Sequence, residues 1–430
     1  MHKLGGFMRS RLVTSFALLF LFLSFLSGTA AAQAFINFTS TVRAKPGTVM
    51  NIYGSGFGAT AASNIVWFGG MRATVDAVST GTLTVTVPNG STYSSIRVTV
   101  PNQKTTFMDY PFTPVFQGGD PDSATFQAVS SIVDVTTIGA FDVGDIDGDG
   151  KPDLVVAKYN GVGNFGTFYF SVYPNTSFPG HISFGTKVDI PCDAGVIKLY
   201  LEDMNGDGKL DVVTVNEKEA SNSVSVYLNT SSGGTISFGG AINFSINIDA
   251  TIRPTDLAIG DIDGDGIPDI AVIYSAEYMH VYRGNGDGSV SFAYEDYSLG
   301  LPTGIVIGDF DNDGKPDIAM SLTNSATDYV RMLKNTSTPG NVSFTVQPTL
   351  HAGGSQPEHV YKGDFDGDGR VDLLVTEGAT GSIYLYRKNA NPFGFDAPVA
   401  ISASNETYLG GVWETFRCFI LAKGLVPSGR

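Results

Sequence analysis

A nine-residue pattern of acids and glycines recurs five times along this 430-residue chain. Its first copy is Asp145-Ile146-Asp147-Gly148-Asp149-Gly150-Lys151-Pro152-Asp153. The others begin at Asp203, Asp261, Asp309 and Asp364, at separations of 58, 58, 48 and 55 residues. A period of this length marks a repeat architecture, in which each period is one supersecondary unit and neighbours must stack to bury their apolar faces. Strand-like runs flank every copy. Thr255–Gly260 precedes the third, and Leu154–Ala157, Val212–Val215, Ile270–Ile273, Ile318–Met320 and Leu373–Val375 follow the five in turn. A third run comes next, as in Ser223–Asn229 and Ser382–Tyr386. The unit closes near Phe184, Phe238, Phe292, Phe344 or Phe395. Three or four short strands per period match one blade of a β-propeller.

Acids, with one asparagine in the second loop, fall at positions 1, 3, 5 and 9 of each loop. They are Asp145, Asp147, Asp149, Asp153; Asp203, Asn205, Asp207, Asp211; Asp261, Asp263, Asp265, Asp269; Asp309, Asp311, Asp313, Asp317; and Asp364, Asp366, Asp368, Asp372. Alternate positions of a tight loop aim side chains at one centre. The carbonyl at position 7 (Lys151, Lys209, Ile267, Lys315, Arg370) can add a backbone oxygen. Such oxygen sets suit Ca²⁺, which takes about 6–8 oxygen ligands. Without a cation, so many carboxylates around one point repel. The competing reading is plain Asp-Gly turn chemistry, and five copies in register favour metal. An EF-hand needs an acid at position 12 and a following helix. Here position 12 is Val156, Thr214, Val272, Met320 or Val375, inside strand-like runs.

The repeat resembles the FG-GAP/VCBS family of integrin-α-like propellers. That resemblance covers 126–395 and divides it as 126–184, 185–238, 239–292, 293–344 and 345–395. It implies about five structural Ca²⁺ ions, each in the hairpin loop between the first two strands of a blade, held by the residues named above. The second loop departs from the pattern, with Glu202 where the others have glycine and Asn205 for aspartate. It is expected to bind more weakly. The family commonly closes with seven blades. Residues 396–430 begin like a sixth unit at Pro398-Val399-Ala400-Ile401 and continue as an atypical tail.

Residues 35–105 carry separate short runs, Val49–Tyr53, Asn64–Phe68, Thr82–Val87 and Ile96–Val100, divided by glycine turns. Strands at this spacing suggest a β-sandwich. With Tyr53-Gly54-Ser55-Gly56-Phe57-Gly58 and Val66-Trp67-Phe68-Gly69-Gly70, the segment is similar to the immunoglobulin-like IPT/TIG family, in which it would serve as an interaction or spacer module. Pro111, Pro114, Gly118 and Gly119 mark 106–125 as a linker. The fold expected is therefore all-β, an N-terminal immunoglobulin-like sandwich followed by a β-propeller of five recognisable blades and a partial one.

Residues 1–32 read as a signal peptide. They have a basic start (Lys3, Arg9, Arg11), an apolar stretch from Leu12 to Leu26, then small residues. The apolar run is short for a membrane span, which needs about 20 residues. The net charge of −16 disfavours nucleic acid, whose phosphates need a basic face. No nucleophile elbow or zinc spacing surrounds the five histidines. The chain is thus expected to be a non-enzymatic, secreted or cell-surface calcium protein that binds an extracellular protein or glycan. The alternative is a scaffold part of a longer polysaccharide-degrading enzyme.

Overall fold

The computed structural model describes residues 34–91, 94–100, 105–114, 138–158, 168–178, 182–192, 195–217, 223–246, 252–296, 300–323, 330–351, 356–365, 370–378 and 382–402. The leader and the tail beyond 402 lie outside these ranges. Strands dominate the described residues, with one short 3₁₀ turn at Ala61–Ser63. No helix among them is long and apolar enough to cross a membrane.

The N-terminal unit is a sandwich of eight strands. Met71–Ser79 belongs to both layers. Met71–Ala73 pair with Val66–Phe68, and from Thr74 on, with a bulge between Val75 and Ala77, it pairs with Thr82–Thr86. Val66, Phe68, Leu83, Val85, Ile96, Val98 and Phe112 fill the core. Phe68 and Phe112 meet edge to face, with ring centroids 4.8 Å apart. Phe112 lies in Thr105–Pro114, which pairs with Ser94–Thr99 and Arg43–Ala44. This corrects the linker expected over 106–125: its first part is a sandwich strand. Pro111 and Pro114 misled because proline is depleted in strands and reads as a breaker.

Five four-stranded antiparallel sheets follow, each a simple meander. Blade one comprises Ile138–Gly144, Asp153–Lys158, Phe168–Tyr173 and Val188–Cys192. Blade two comprises Gly195–Glu202, Asp211–Glu217, Ser223–Tyr227 and Ile242–Ser245. Blade three comprises Pro254–Gly260, Asp269–Tyr274, Met279–Gly284 and Val290–Asp296. Blade four comprises Leu301–Gly308, Asp317–Thr323, Val330–Asn335 and Phe344–Val346, and blade five Pro357–Gly363, Asp372–Glu377, Ser382–Tyr386 and Val399–Ser402. The expected repeat boundaries shift accordingly. Val188–Cys192 and Ile242–Ser245 close the blades that precede them, and Val399–Ser402 completes blade five rather than opening a sixth. The phenylalanine steps do not end the unit: Phe184, Phe238 and Phe395 precede the fourth strand, and Phe292 and Phe344 lie within it. Phe184 and Phe238 form bridges to Asn175 and Asn229.

Each second strand is buried on both faces, which explains its unbroken apolar run. In blade three, Ile270 and Val272 join the core shared with blade two, while Ala271 and Ile273 join the core shared with blade four. Full burial of Ile270, Val272 or Ile273 contributes about 1.5–3 kcal/mol each. First strands lie beside first strands, and Thr303 Oγ1 donates to the Pro357 carbonyl across that seam (2.9 Å). A Cβ at Gly304 would lie 3.1 Å from the His359 Cα, tighter than ordinary contact, so glycine eases this approach. His359 of blade five also senses Lys198 and Asp256 of blades two and three. The first strands therefore converge, as they do around a propeller axis.

The sandwich packs directly on the first two blades. Along Ile65–Phe68 the side chains alternate: Val66 and Phe68 enter the sandwich core, while Ile65 and Trp67 enter the core shared by blades one and two. Asp145 N–H donates to the Gly70 carbonyl (3.0 Å).

Candidate metal centre

Each aspartate loop joins the first and second strands of its blade. Two positions in it need left-handed backbone. At position 6, Gly150, Gly208, Gly266 and Gly314 have φ of +85°, +83°, +82° and +83°. At position 4 stand Gly148, Gly206 and Gly264, with Asn312 at φ 62° in the fourth loop. Asparagine tolerates this region better than other side chains, which accounts for the Gly/Asn choice there.

Backbone N–H groups organise the carboxylates. Asp145 accepts from Gly148 (2.9 Å) and Gly150 (3.1 Å), and Asp203 accepts from Gly206 (2.8 Å) and Gly208 (2.9 Å). Asp261 and Asp309 accept from Gly266 and Gly314. Position 3 accepts from the N–H of position 5 in Asp147, Asn205, Asp263 and Asp311. Position 5 accepts from the N–H of position 7, namely Lys151, Lys209, Ile267 and Lys315. The turn chemistry weighed against metal is therefore present, and it uses the same aspartates.

Position 9 has a second task that the spacing did not reveal. Asp153, Asp211, Asp269, Asp317 and Asp372 are all fully buried. One oxygen of each accepts the position 2 N–H, from Ile146, Met204, Ile262, Phe310 or Phe365. The other accepts from the backbone at the end of the third strand, at Asn175, Asn229, Gly284, Asn335 or Lys388. Two of these asparagines reach further. Asn229 Nδ2 donates to the Ile146 carbonyl of loop one (2.9 Å), and Asn335 Nδ2 to the Ile262 carbonyl of loop three (2.7 Å). Each staples a loop to the following blade. The Asn-Thr-Ser triplets at 175, 229 and 335 were the available signal.

The first, third and fourth loops bring carboxylates together. Oxygens of Asp145, Asp147 and Asp153 lie within 4.8 Å of one another, as do those of Asp261, Asp263 and Asp265, and of Asp309, Asp311 and Asp317. In loop three, Asp261 Oδ1 is buried with no hydrogen-bond partner. Burial pushes these acids upward. Asp153 and Asp203 rise to about 6, Asp269 and Asp317 to about 7, and Asp211 and Asp261 to about 8. Loss of water is the largest cause in each, neighbouring carboxylates add to it, and backbone N–H groups oppose it. An orphaned buried oxygen among raised acids fits a divalent oxygen-seeking cation.

The second and fourth loops differ. Among the described residues, loop two forms no such trio. Its Glu202 pairs with Arg97 of the sandwich, a buried guanidinium that also donates to the Gly69 carbonyl (3.2 Å) and lies over Trp67. Glu202 is thus the blade's half of the contact with the sandwich. In loop four the Lys334 ammonium contacts Asp311 and lies 2.6 Å from Asp313. Of the fifth loop, Asp364 and Asp372 frame the turn, whereas Asp366 and Asp368 fall outside the described residues. Arg370 Nε donates to the Lys388 carbonyl (2.8 Å).

A family profile described as FG-GAP-like repeat matches residues 145–214, 203–272 and 261–320, and one described as IPT/TIG domain matches 36–114. No curated protein matches the chain. Solved structures with a similar course include an auxiliary nutrient binding protein from Bacteroides thetaiotaomicron, at 12% identity over 85% of each chain with a TM-score of 0.36. An Agrocybe aegerita lectin recognising non-reducing terminal N-acetylglucosamine aligns at 18% identity over 81% of this chain and 91% of its own, with a TM-score of 0.41. A putative phosphatase from Bacteroides thetaiotaomicron aligns at 13% identity over 85% and 84%, with a TM-score of 0.37.

Proposed function

From a chain that carries FG-GAP-like repeats behind an IPT/TIG domain, we propose a secreted or cell-surface, calcium-braced binding protein without catalytic activity of its own. The observation that carries this reading is the third loop. Three aspartates converge there, and the buried Asp261 Oδ1 has no other partner. Calcium there would take Asp261, Asp263 and Asp265, with the Ile267 carbonyl as a further donor. The first loop would offer Asp145, Asp147, Asp149 and the Lys151 carbonyl. The ion's part is structural: it neutralises acids that burial has raised and fixes the hairpin in which it sits.

A rigid arc of blades, with a sandwich seated on its first two members, suits the display of surfaces to another molecule. The proposed partner is an extracellular protein or glycan. The N-terminal leader supports export. The second reading, a scaffold within a polysaccharide-degrading system, draws on the same architecture and has no residue pair of its own to favour it.

A glycan array and a pull-down from extracellular material, each with and without chelator, test the proposal. Calcium-dependent capture of a glycan or protein supports it. Absence of any ligand in either format, or turnover of polysaccharide by the purified chain, overturns it.

A further inference from the structure

We propose that the fourth loop does not take calcium as the first and third do, because Lys334 serves as its built-in cation. The inference rests on the calcium reading of the other loops. Lys334 is the penultimate residue of the third strand of blade four. From there its ammonium reaches the carboxylates of Asp311 and Asp313, at positions 3 and 5 of the loop. The site is closed from a second side by the neighbouring blade. The Phe393 ring stands 6.0 Å from the same nitrogen. Phe393 is itself 8% exposed and belongs to the core between blades four and five. Two carboxylates and an aromatic face make a cation site filled by a side chain.

The repeat supplies the comparison. The equivalent strand position holds Pro174, Leu228, Arg283 and Arg387 in the other blades. Proline and leucine carry no charge. Arg283 lies against Gly340 of blade four, and Arg387 faces Asp396, 3.9 Å away. Among the described residues, only in blade four does a cation from this position land on its own loop. The position 7 lysine of loop four is also turned away, since Lys315 Nζ donates to the Ser337 carbonyl (2.7 Å). A tethered ammonium loses little translational freedom on pairing. A calcium ion arriving at this loop must displace it from both acids and from the ring.

Native mass spectrometry of the mature chain at fixed free calcium, with melting curves as a second readout, tests this. Lys334→Met keeps the stem against Phe393 and removes the charge. It should hold one more ion per chain than the wild type and show a larger rise in Tm on adding calcium. Two variants leave Lys334 in place. Asp263→Asn in loop three should lose one ion, whereas Asp311→Asn in loop four should lose none. If the wild type binds calcium but Lys334→Met binds no more, or Asp311→Asn loses an ion, the inference falls while the calcium reading stands. If no form binds calcium, both fall.

Discussion

Loops one and three and loops two and four have nearly the same sequence and meet different surroundings. Loops one, three and four gather carboxylates around a centre, and the first two of these are each stapled to the next blade by an asparagine amide, Asn229 or Asn335. Loops two and four face Gly284 and Lys388 at the corresponding place, and each meets a basic side chain instead. For loop two that is Arg97 from the sandwich, and for loop four it is Lys334 from its own blade. One motif therefore serves two electrostatic solutions. Where no protein cation reaches the buried acids (in loop one Lys151 pairs only with the exposed Asp149, 3.4 Å away), they call for an ion. Where one does, the loop becomes a joint.

The sharpest way to break this contrast is Arg97→Met. It leaves the half-buried Glu202 opposite an apolar stem, and removing one partner of a mostly buried pair costs up to about 3–5 kcal/mol. Denaturant titration should show that loss equally with calcium and with chelator. A loss confined to chelator would mean that loop two depends on an ion after all.

Calcium removal comes next. At about a hundredfold excess over Kd, each occupied site stabilises by about 2.7 kcal/mol. Chelation should lower Tm by several degrees in the wild type and by less in Asp263→Ala, which has already lost a site. Equal shifts in the two would contradict the assignment to loop three.

The staple can be measured against its shorter relative. Asn335 Nδ2 donates to two carbonyls, one of them in another blade, whereas Asn175 Nδ2 donates to the Pro152 carbonyl in its own. Asn335→Ala should cost about 2 kcal/mol and Asn175→Ala about 1. Equal costs in chemical denaturation would show that crossing between blades adds nothing.

The last test is that of pH. Asp211 and Asp261 at about 8 and Asp269 at about 7 stand above their unfolded value of about 3.9. The calcium-free fold then holds more protons than the unfolded chain, so its stability falls as pH rises from about 4 to 8. In chelator, Tm should be higher at pH 5.5 than at pH 8. With calcium the trend should reverse, because binding needs deprotonated carboxylates. A flat profile in chelator would mean that these acids are solvated.

Much of the molecule was legible because its strongest signals are local. The aspartate spacing, the turn glycines and the apolar run after each loop are fixed by neighbours within a few residues. The fourth strand of each blade was misplaced because Val188–Cys192 and Val290–Asp296 lie at the outer edge. Their side chains alternate between half-buried and exposed, so the apolar signal is weak. Thr105–Pro114 was lost to its prolines. Glu202 looked like a defect of loop two because its partner stands 105 positions earlier.

The sequence by itself determined the repeat and the loop conformation and placed acids where a metal could sit, since each follows from spacing and backbone sterics. Only the tertiary structure decided which loops meet a protein cation. That depends on Arg97 and Lys334 being carried across space by the sandwich and by a third strand, to distances at which charge outweighs sequence likeness.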